Sequence, residues 1–423
     1  MPWAIRSQRQ NACSGTCVFG ARLAASGDGS QVPDSSGWRT PVLRKYRRLF
    51  LLCRIILAGA CGRDRLRTMD TILCLGSAEE YWHIARVVDD PQTRADPIAR
   101  QRLLAIPYSR TTLIDKQVPS YASLSAIQRG FQRFDALGLP GGVREILGLT
   151  CPVHVLAAPG GTCRRAAERV VHQVRMPLPT DSLVRIEDGL MVSSPEHLYL
   201  QAASQLDSLE LSWFASELCS LFSIHPSNAG GLLPARPLTT LKRLEKYLDG
   251  AITINAYGAK KALAGLRNAV EGAASRREIA CAMRMFFPRA QGGRSIPKPK
   301  LNFGLSVDKR LASVHGWQNL SVDIAWPEAR LAMEYDSDTY HLDPRRRARD
   351  NDKRAVLEQM GWRVVPFSTK QFDSLAMSDD AFQRIGAVLG VRNRAGESRY
   401  DWQSRRSELT LRLWRLCEQG VRL

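Results

Sequence analysis

The chain has 423 residues, enough for two ordinary domains with separate cores. An apolar fraction of 44% beside a charged fraction of 24% fits a globular protein and excludes wholesale disorder. The net charge of +19 points to a polyanionic partner and is unevenly spread: residues 1–68 carry +9, 69–274 carry +1, 275–390 carry +5 and 391–423 carry +4.

Residues 1–68 are rich in Arg, Ser and Gly, with turn-prone runs such as SGDGSQVPDSSG and little periodicity, which predicts a basic, disordered extension. Their one apolar run, LFLLCRIILAGAC (49–61), is too short to span a bilayer and is interrupted by Arg54. The extension is expected to lie upstream of the true start, with Met69 opening the protein. Ten cysteines are scattered, and only Cys13 and Cys17 lie close together, so buried thiols in a reducing cytoplasm are expected rather than a zinc site.

Residues 79–150 are helical in pattern. CPVHVLAA, VVHQVRMPLP, LVRIED and GLMVSS then read as short strands. SSPEHLYLQAASQL predicts a helix capped by Ser193 or Ser194 with Pro195 in its first turn. Helices over 207–223, 239–249 and 257–274 complete an α+β domain, 69–274. Gly160-Gly161-Thr162 lacks a phosphate-loop lysine and reads as a turn, and Lys260-Lys261 as a solvated face.

A second unit begins near Ala274. Ser275 and Glu278 have capping-box spacing, and Ile279, Ala282, Met283 and Phe286 mark one helical face. Strands around LNFGLSV, LSVDIAWP and RLAMEYD follow, then a helix over 346–360, the strand WRVVPFS and a helix over 378–389. The order predicts a compact α/β domain, 275–390. Residues 391–423 read as a basic appendage in which ELTLRLWRLCEQ forms a short amphipathic helix.

The hairpin within this domain carries the chemistry. A turn centred on Glu328-Ala329 pairs residues whose numbers sum to 657, which sets Asp323 opposite Glu334. Like charges directly opposite destabilise a sheet, so one carboxyl is protonated, a cation lies between them, or a divalent ion binds. Oxygen ligands of this kind suit Mg²⁺, with Mn²⁺ an alternative, and Asp336 shares the face of Glu334. His341 lies five residues past Asp336, in reach as acid, base or phosphate ligand. Arg345, Arg346, Arg347, Arg349, Lys353 and Arg354 load the next helix with positive charge fit for a phosphate backbone. A merely solvated acidic face with an Arg-rich exposed helix is the blander alternative.

Residues 275–390 resemble the PD-(D/E)xK nuclease superfamily, and within it the branch of uncharacterised domains related to very-short-patch-repair endonucleases. The resemblance rests on Glu278, Val322-Asp323, Glu334-Tyr335-Asp336-Ser337, His341, Asp350 with Arg354, Leu357 and Gly361-Trp362-Arg363-Val364. It implies a restriction-endonuclease-like fold and a cytoplasmic, Mg²⁺-dependent endonuclease or nickase acting on DNA. Asp323, Glu334 and Asp336 would hold the metal, His341 would assist, and Glu278, Asp350 and Arg354 would support the site. The chain departs from the pattern in two places. Asp336 stands where a lysine is usual, leaving Lys353, Arg354 or His341 to serve, and Ser337 replaces a glycine. CPVHVL, MPLP and GLMVSSPEHLYLQAA in 69–274 resemble, more loosely, abortive-infection type IV antitoxin-like proteins. That implies the alternative of a non-catalytic DNA-binding or regulatory protein, with a protein partner in a defence or toxin–antitoxin locus. No membrane association is expected.

Overall fold

The computed structural model describes residues 71–88, 152–157, 169–174, 178–179, 181–187, 190–224, 232–336, 344–391, 399–421 and 423. The expected N-terminal extension, the segment 89–151, Ser337 and His341 lie outside them.

The N-terminal half is built on a mixed five-stranded sheet. β1 (Thr71–Leu73) runs parallel to β5 (Leu190–Ser193) and antiparallel to β2 (Val153–Ala157). With β3 (Arg169–Gln173) and β4 (Leu183–Glu187) the order is β3-β2-β1-β5-β4. Helices α1 (Leu75–Val88), α2 (Pro195–Ala202), α3 (Ser208–Leu218), α4 (Leu241–Thr253) and α5 (Ala259–Leu266) accompany it. The Ser194 hydroxyl accepts from the His197 amide and Pro195 fills the first turn, which settles the cap of α2 in favour of Ser194. The expected helix over 207–223 stops at Leu218, because Phe222–Ile224 (β6) pairs antiparallel with Leu232–Pro234 (β7). The helix expected to reach 274 ends at Leu266.

The C-terminal half opens with α6 (Arg276–Phe286). A four-stranded sheet follows, in the order β11-β10-β9-β8, from β8 (Lys300–Ser306), β9 (Asn319–Trp326), β10 (Leu331–Asp336) and β11 (Arg363–Ser368). The first three strands form an antiparallel meander, and β11 returns parallel to β10 through helix α8 (Pro344–Gln359). Gly361, at φ 79°, takes the left-handed position after α8, while the Trp362 amide donates back to the Leu357 carbonyl.

Two short helices were not expected, α7 (Lys309–His315) and α9 (Thr369–Asp373). Their signals are local: Asp308 caps α7 and left-handed Gly316 ends it, while Ser368 and Gln371 form a capping box on α9. Helices α10 (Leu375–Val388) and α11 (Arg399–Gln419) complete the chain. The C-terminal segment is no loose appendage: Leu409, Leu413 and Leu416 of α11 are buried in the main core.

One apolar cluster runs through both halves, from Ile72 to Val421, so the two sheets flanking residue 275 share a core. A smaller cluster of Leu320, Val322, Ala325, Ala332, Val356, Leu357 and Trp362 lies between the second sheet and α8. Leu413 is fully buried, whereas Leu411 on the same helix is 51% exposed. Leu413→Ala is expected to cost about 2–5 kcal/mol of unfolding free energy in denaturant titration, and Leu411→Ala about 0.5 kcal/mol or less.

Candidate functional site

The hairpin register is the one the sequence predicts: Leu331 pairs with Trp326, Ala332 with Ala325 and Met333 with Ile324. The next position sets Asp323 opposite Glu334. On the other side of β9, Leu301 pairs with Ile324 and Phe303 with Val322, which sets Asn302 opposite Asp323. One row across three strands therefore reads Asn302, Asp323, Glu334. Asp323 stands at a seam, since Val322 belongs to the smaller apolar cluster and Ile324 to the main core.

Helix α8 places Lys353 over this row. Its Nζ donates to Glu334 Oε2 at 2.5 Å, and both side chains are about one-fifth exposed, 21% and 19%. Val356, Leu357 and Met360 share the helical face of Lys353 and pack in the smaller cluster, which aims the ammonium at the sheet. Asp323 Oδ2 accepts the Tyr335 amide at 2.7 Å. Tyr335 is held in turn by Arg277, whose Nη1 donates to its hydroxyl at 2.7 Å.

Glu278, at the first turn of α6, adds a third carboxyl. Its Oε2 accepts the Ala274 amide at 2.9 Å and the Asn302 side-chain amide at 2.7 Å, and its Oε1 accepts the Ser275 hydroxyl at 2.9 Å. Asn302 also donates to the Gly272 carbonyl at 2.9 Å, and its φ of 45° is a left-handed conformation inside a strand, which Asn tolerates better than most residues.

These groups perturb one another. Burial, then the Asp323 carboxylate, raise Glu334 to about 7 against the opposing Lys353. Burial, then Asp323, also raise Glu278 to about 7. Burial raises Asp323 as well, with Lys353 and the Tyr335 amide opposing and Asp350 reinforcing. The centre is thus three interacting carboxyls and one ammonium in a partly dry environment, which holds protons near neutral pH.

The other expected site residues are distributed around it. Asp336 is exposed at the end of β10, opposite Ser368, and Asp350 is exposed on α8. The Arg349 guanidinium lies 4.8 Å from the Trp317 ring, and Arg354 is half-buried. Arg345, Arg346 and Arg347 belong to the first turns of α8. Asn302 and Arg277 are partners that the sequence reading did not single out, and Tyr335 entered it only as part of the Glu334-Tyr335-Asp336-Ser337 run.

The donor set bears on a divalent metal. Glu334 Oε1 is buried without a hydrogen-bond partner, and Asp323 stands beside it, so two hard oxygen donors fit an ion of the Mg²⁺ class. Among the described residues no group of three His, Cys, Asp or Glu side chains converges as a metal site. Also among them, no helix is long and apolar enough to cross a membrane.

In comparisons with known proteins, no family model matches the chain, and no solved structure matches it. A 71-residue segment is 37% identical to an uncharacterized protein of Mycobacterium tuberculosis, found in two strains. That segment is 17% of this chain, and the chain spans about a quarter, 24%, of the length of those relatives.

Because its carboxyl sits near 7 rather than 4.5, ionised Glu278 burdens the folded state as pH rises through that window. The stability of Glu278→Gln relative to wild type should increase between pH 4.5 and 7 by up to about 3 kcal/mol, then level off. Thermal unfolding across that range measures it.

Proposed function

We propose that residues 275–390 form a metal-dependent DNA endonuclease or nickase. The observation that carries this reading is the pairing of Asp323 and Glu334 under Lys353, with one buried Glu334 oxygen left without a protein partner. Asp323 and Glu334 would hold Mg²⁺ or Mn²⁺, with Asp336 assisting from the strand end. The ion supplies Lewis acidity toward a phosphodiester and a more acidic bound water. Lys353 stands at the edge of the row, where an ammonium can orient a nucleophilic water or meet a phosphate oxygen, the task left vacant by Asp336 in the resembled motif. His341 would act as acid, base or phosphate ligand, as the resemblance implies. Arg345, Arg346, Arg347, Arg349 and Arg354 would grip the backbone as a sequence-independent electrostatic surface.

A second reading has its own support. Lys353 already offsets part of the Glu334 charge and the Tyr335 amide already donates to Asp323, so part of the centre's charge is met without an ion. A nuclease-like protein that binds DNA, or a partner within a defence or toxin–antitoxin locus, without cutting would keep this arrangement. Salt-sensitive DNA binding with no cleavage under Mg²⁺ or Mn²⁺ would favour it.

Purified protein with Mg²⁺ or Mn²⁺ is expected to nick or cut plasmid DNA, and Asp323→Asn to reduce the rate by roughly 10²-fold or more. Cutting that persists in both Asp323→Asn and Glu334→Ala sinks the assignment of this centre. Metal ligands bind deprotonated and Glu334 is held near 7. Calorimetric Mg²⁺ affinity should therefore rise by up to about tenfold per pH unit below 7 and level off above it.

A further inference from the structure

Lys353 already does in part what a bound cation would do. Its ammonium reaches Glu334 Oε2 at 2.5 Å from α8, outside the sheet that carries the acidic row. The pairing is incomplete. Glu334 Oε1 is buried with no hydrogen-bond partner, and Asp323 Oδ2 is met by the neutral Tyr335 amide at 2.7 Å. A buried acceptor without a donor costs free energy, and one positive charge serves two facing carboxyls.

The ammonium also has a second place to go. Lysine carries its charge on a flexible four-carbon stem, and the Lys353 side chain keeps 21% of its surface in solvent. Helical side chains lean toward the N-terminus of their helix, over the residues three and four positions earlier. Here those are Asp350, which is exposed, and Arg349, whose guanidinium rests 4.8 Å from the Trp317 ring. The Asp350 carboxylate acts on Asp323 electrostatically, so it lies beside the row as well as at the surface. Val356 and Leu357 are fully buried and anchor α8, so the stem can rotate while the helix stays in place.

We propose that Lys353 is a place-holding cation, which neutralises Glu334 in the metal-free protein and swings outward toward Asp350 when a divalent ion binds. The inference rests on the reading of Asp323 and Glu334 as a metal site and adds its regulation. An ammonium at Oε2 would be repelled by a dication on the same carboxylate, because like charges a few ångströms apart interact strongly in a partly dry site. Glu334 thereby exchanges one positive charge for two, and Oε1 gains the partner it lacks. The displaced ammonium joins the surface of the basic helix α8, so the metal-loaded protein offers a phosphate backbone one more cation than the metal-free protein does.

The test uses the full chain without DNA. Mg²⁺ and Mn²⁺ are titrated by calorimetry into the parent and into Lys353→Met, which keeps the stem and removes the charge, at one alkaline pH. In parallel, the Lys353 amine of the parent is acylated and mapped by mass spectrometry with and without Mg²⁺. Lys353→Met is expected to bind either ion about tenfold more tightly than the parent. Labelling of Lys353 is expected to rise several-fold with Mg²⁺, while that of the exposed Lys260 stays constant. If the parent binds metal but folded Lys353→Met binds it no more tightly, or Lys353 labels equally with and without bound Mg²⁺, the exchange is refuted and the metal site stands. If the parent binds neither ion, the metal reading itself fails and the exchange with it. Should Lys353→Met not fold, the labelling of the parent decides alone.

Discussion

The contact between Lys353 and Glu334 is what lets acids on adjacent strands occupy the middle of one sheet. Asp323 and Glu334 face each other across β9 and β10, and Glu278 adds its carboxyl from α6, so the row would repel itself if all three were ionised and alone. One ammonium from α8 offsets part of that repulsion, and protons held near neutral pH offset more. The helix that delivers the ammonium also links β10 to its parallel neighbour β11, so the charge arrangement and the chain path depend on the same segment.

The backbone of the hairpin was readable in advance, because apolar alternation and a single turn fix register to the residue. Ser275 and Pro195 likewise announced helix starts through capping and first-turn stereochemistry. The direction of Lys353 was available too, since Val356, Leu357 and Met360 recur on its face, but an arginine-rich helix invites reading every cation as solvated. Helix α7 was lost because seven residues carry no apolar stripe, although Asp308 and Gly316 bracket it. Asn302 left no trace in the pattern: a single left-handed residue does not interrupt alternation, and its partners at Gly272 and Glu278 are 30 and 24 residues away. The hairpin register placed the two strand acids opposite one another; the side-chain contacts among them are tertiary and were not legible.

Helix α6 ties the two charged regions together. Glu278 stands in its first turn beside the carboxyl row, and Arg284 stands near its other end with its guanidinium over the Phe382 ring. Six residues along a helix is about 9 Å. The intervening residues Ile279, Cys281 and Met283 are fully buried, so the helix is clamped by apolar contacts while each end presents opposite charge. The N-terminal sheet contributes to the same core, and Arg276 at the start of α6 pairs with buried Glu217 of α3 at 2.7 Å.

The left-handed conformation of Asn302 limits what evolution can place there. Glycine would keep the backbone but surrender the amide that holds Glu278 to Gly272. Aspartate would keep the local geometry but set a further negative group against two existing ones, and larger residues would strain the strand. Change at this position is therefore tied to change at Glu278, so in diverged copies of the chain the two are expected to vary together or not at all.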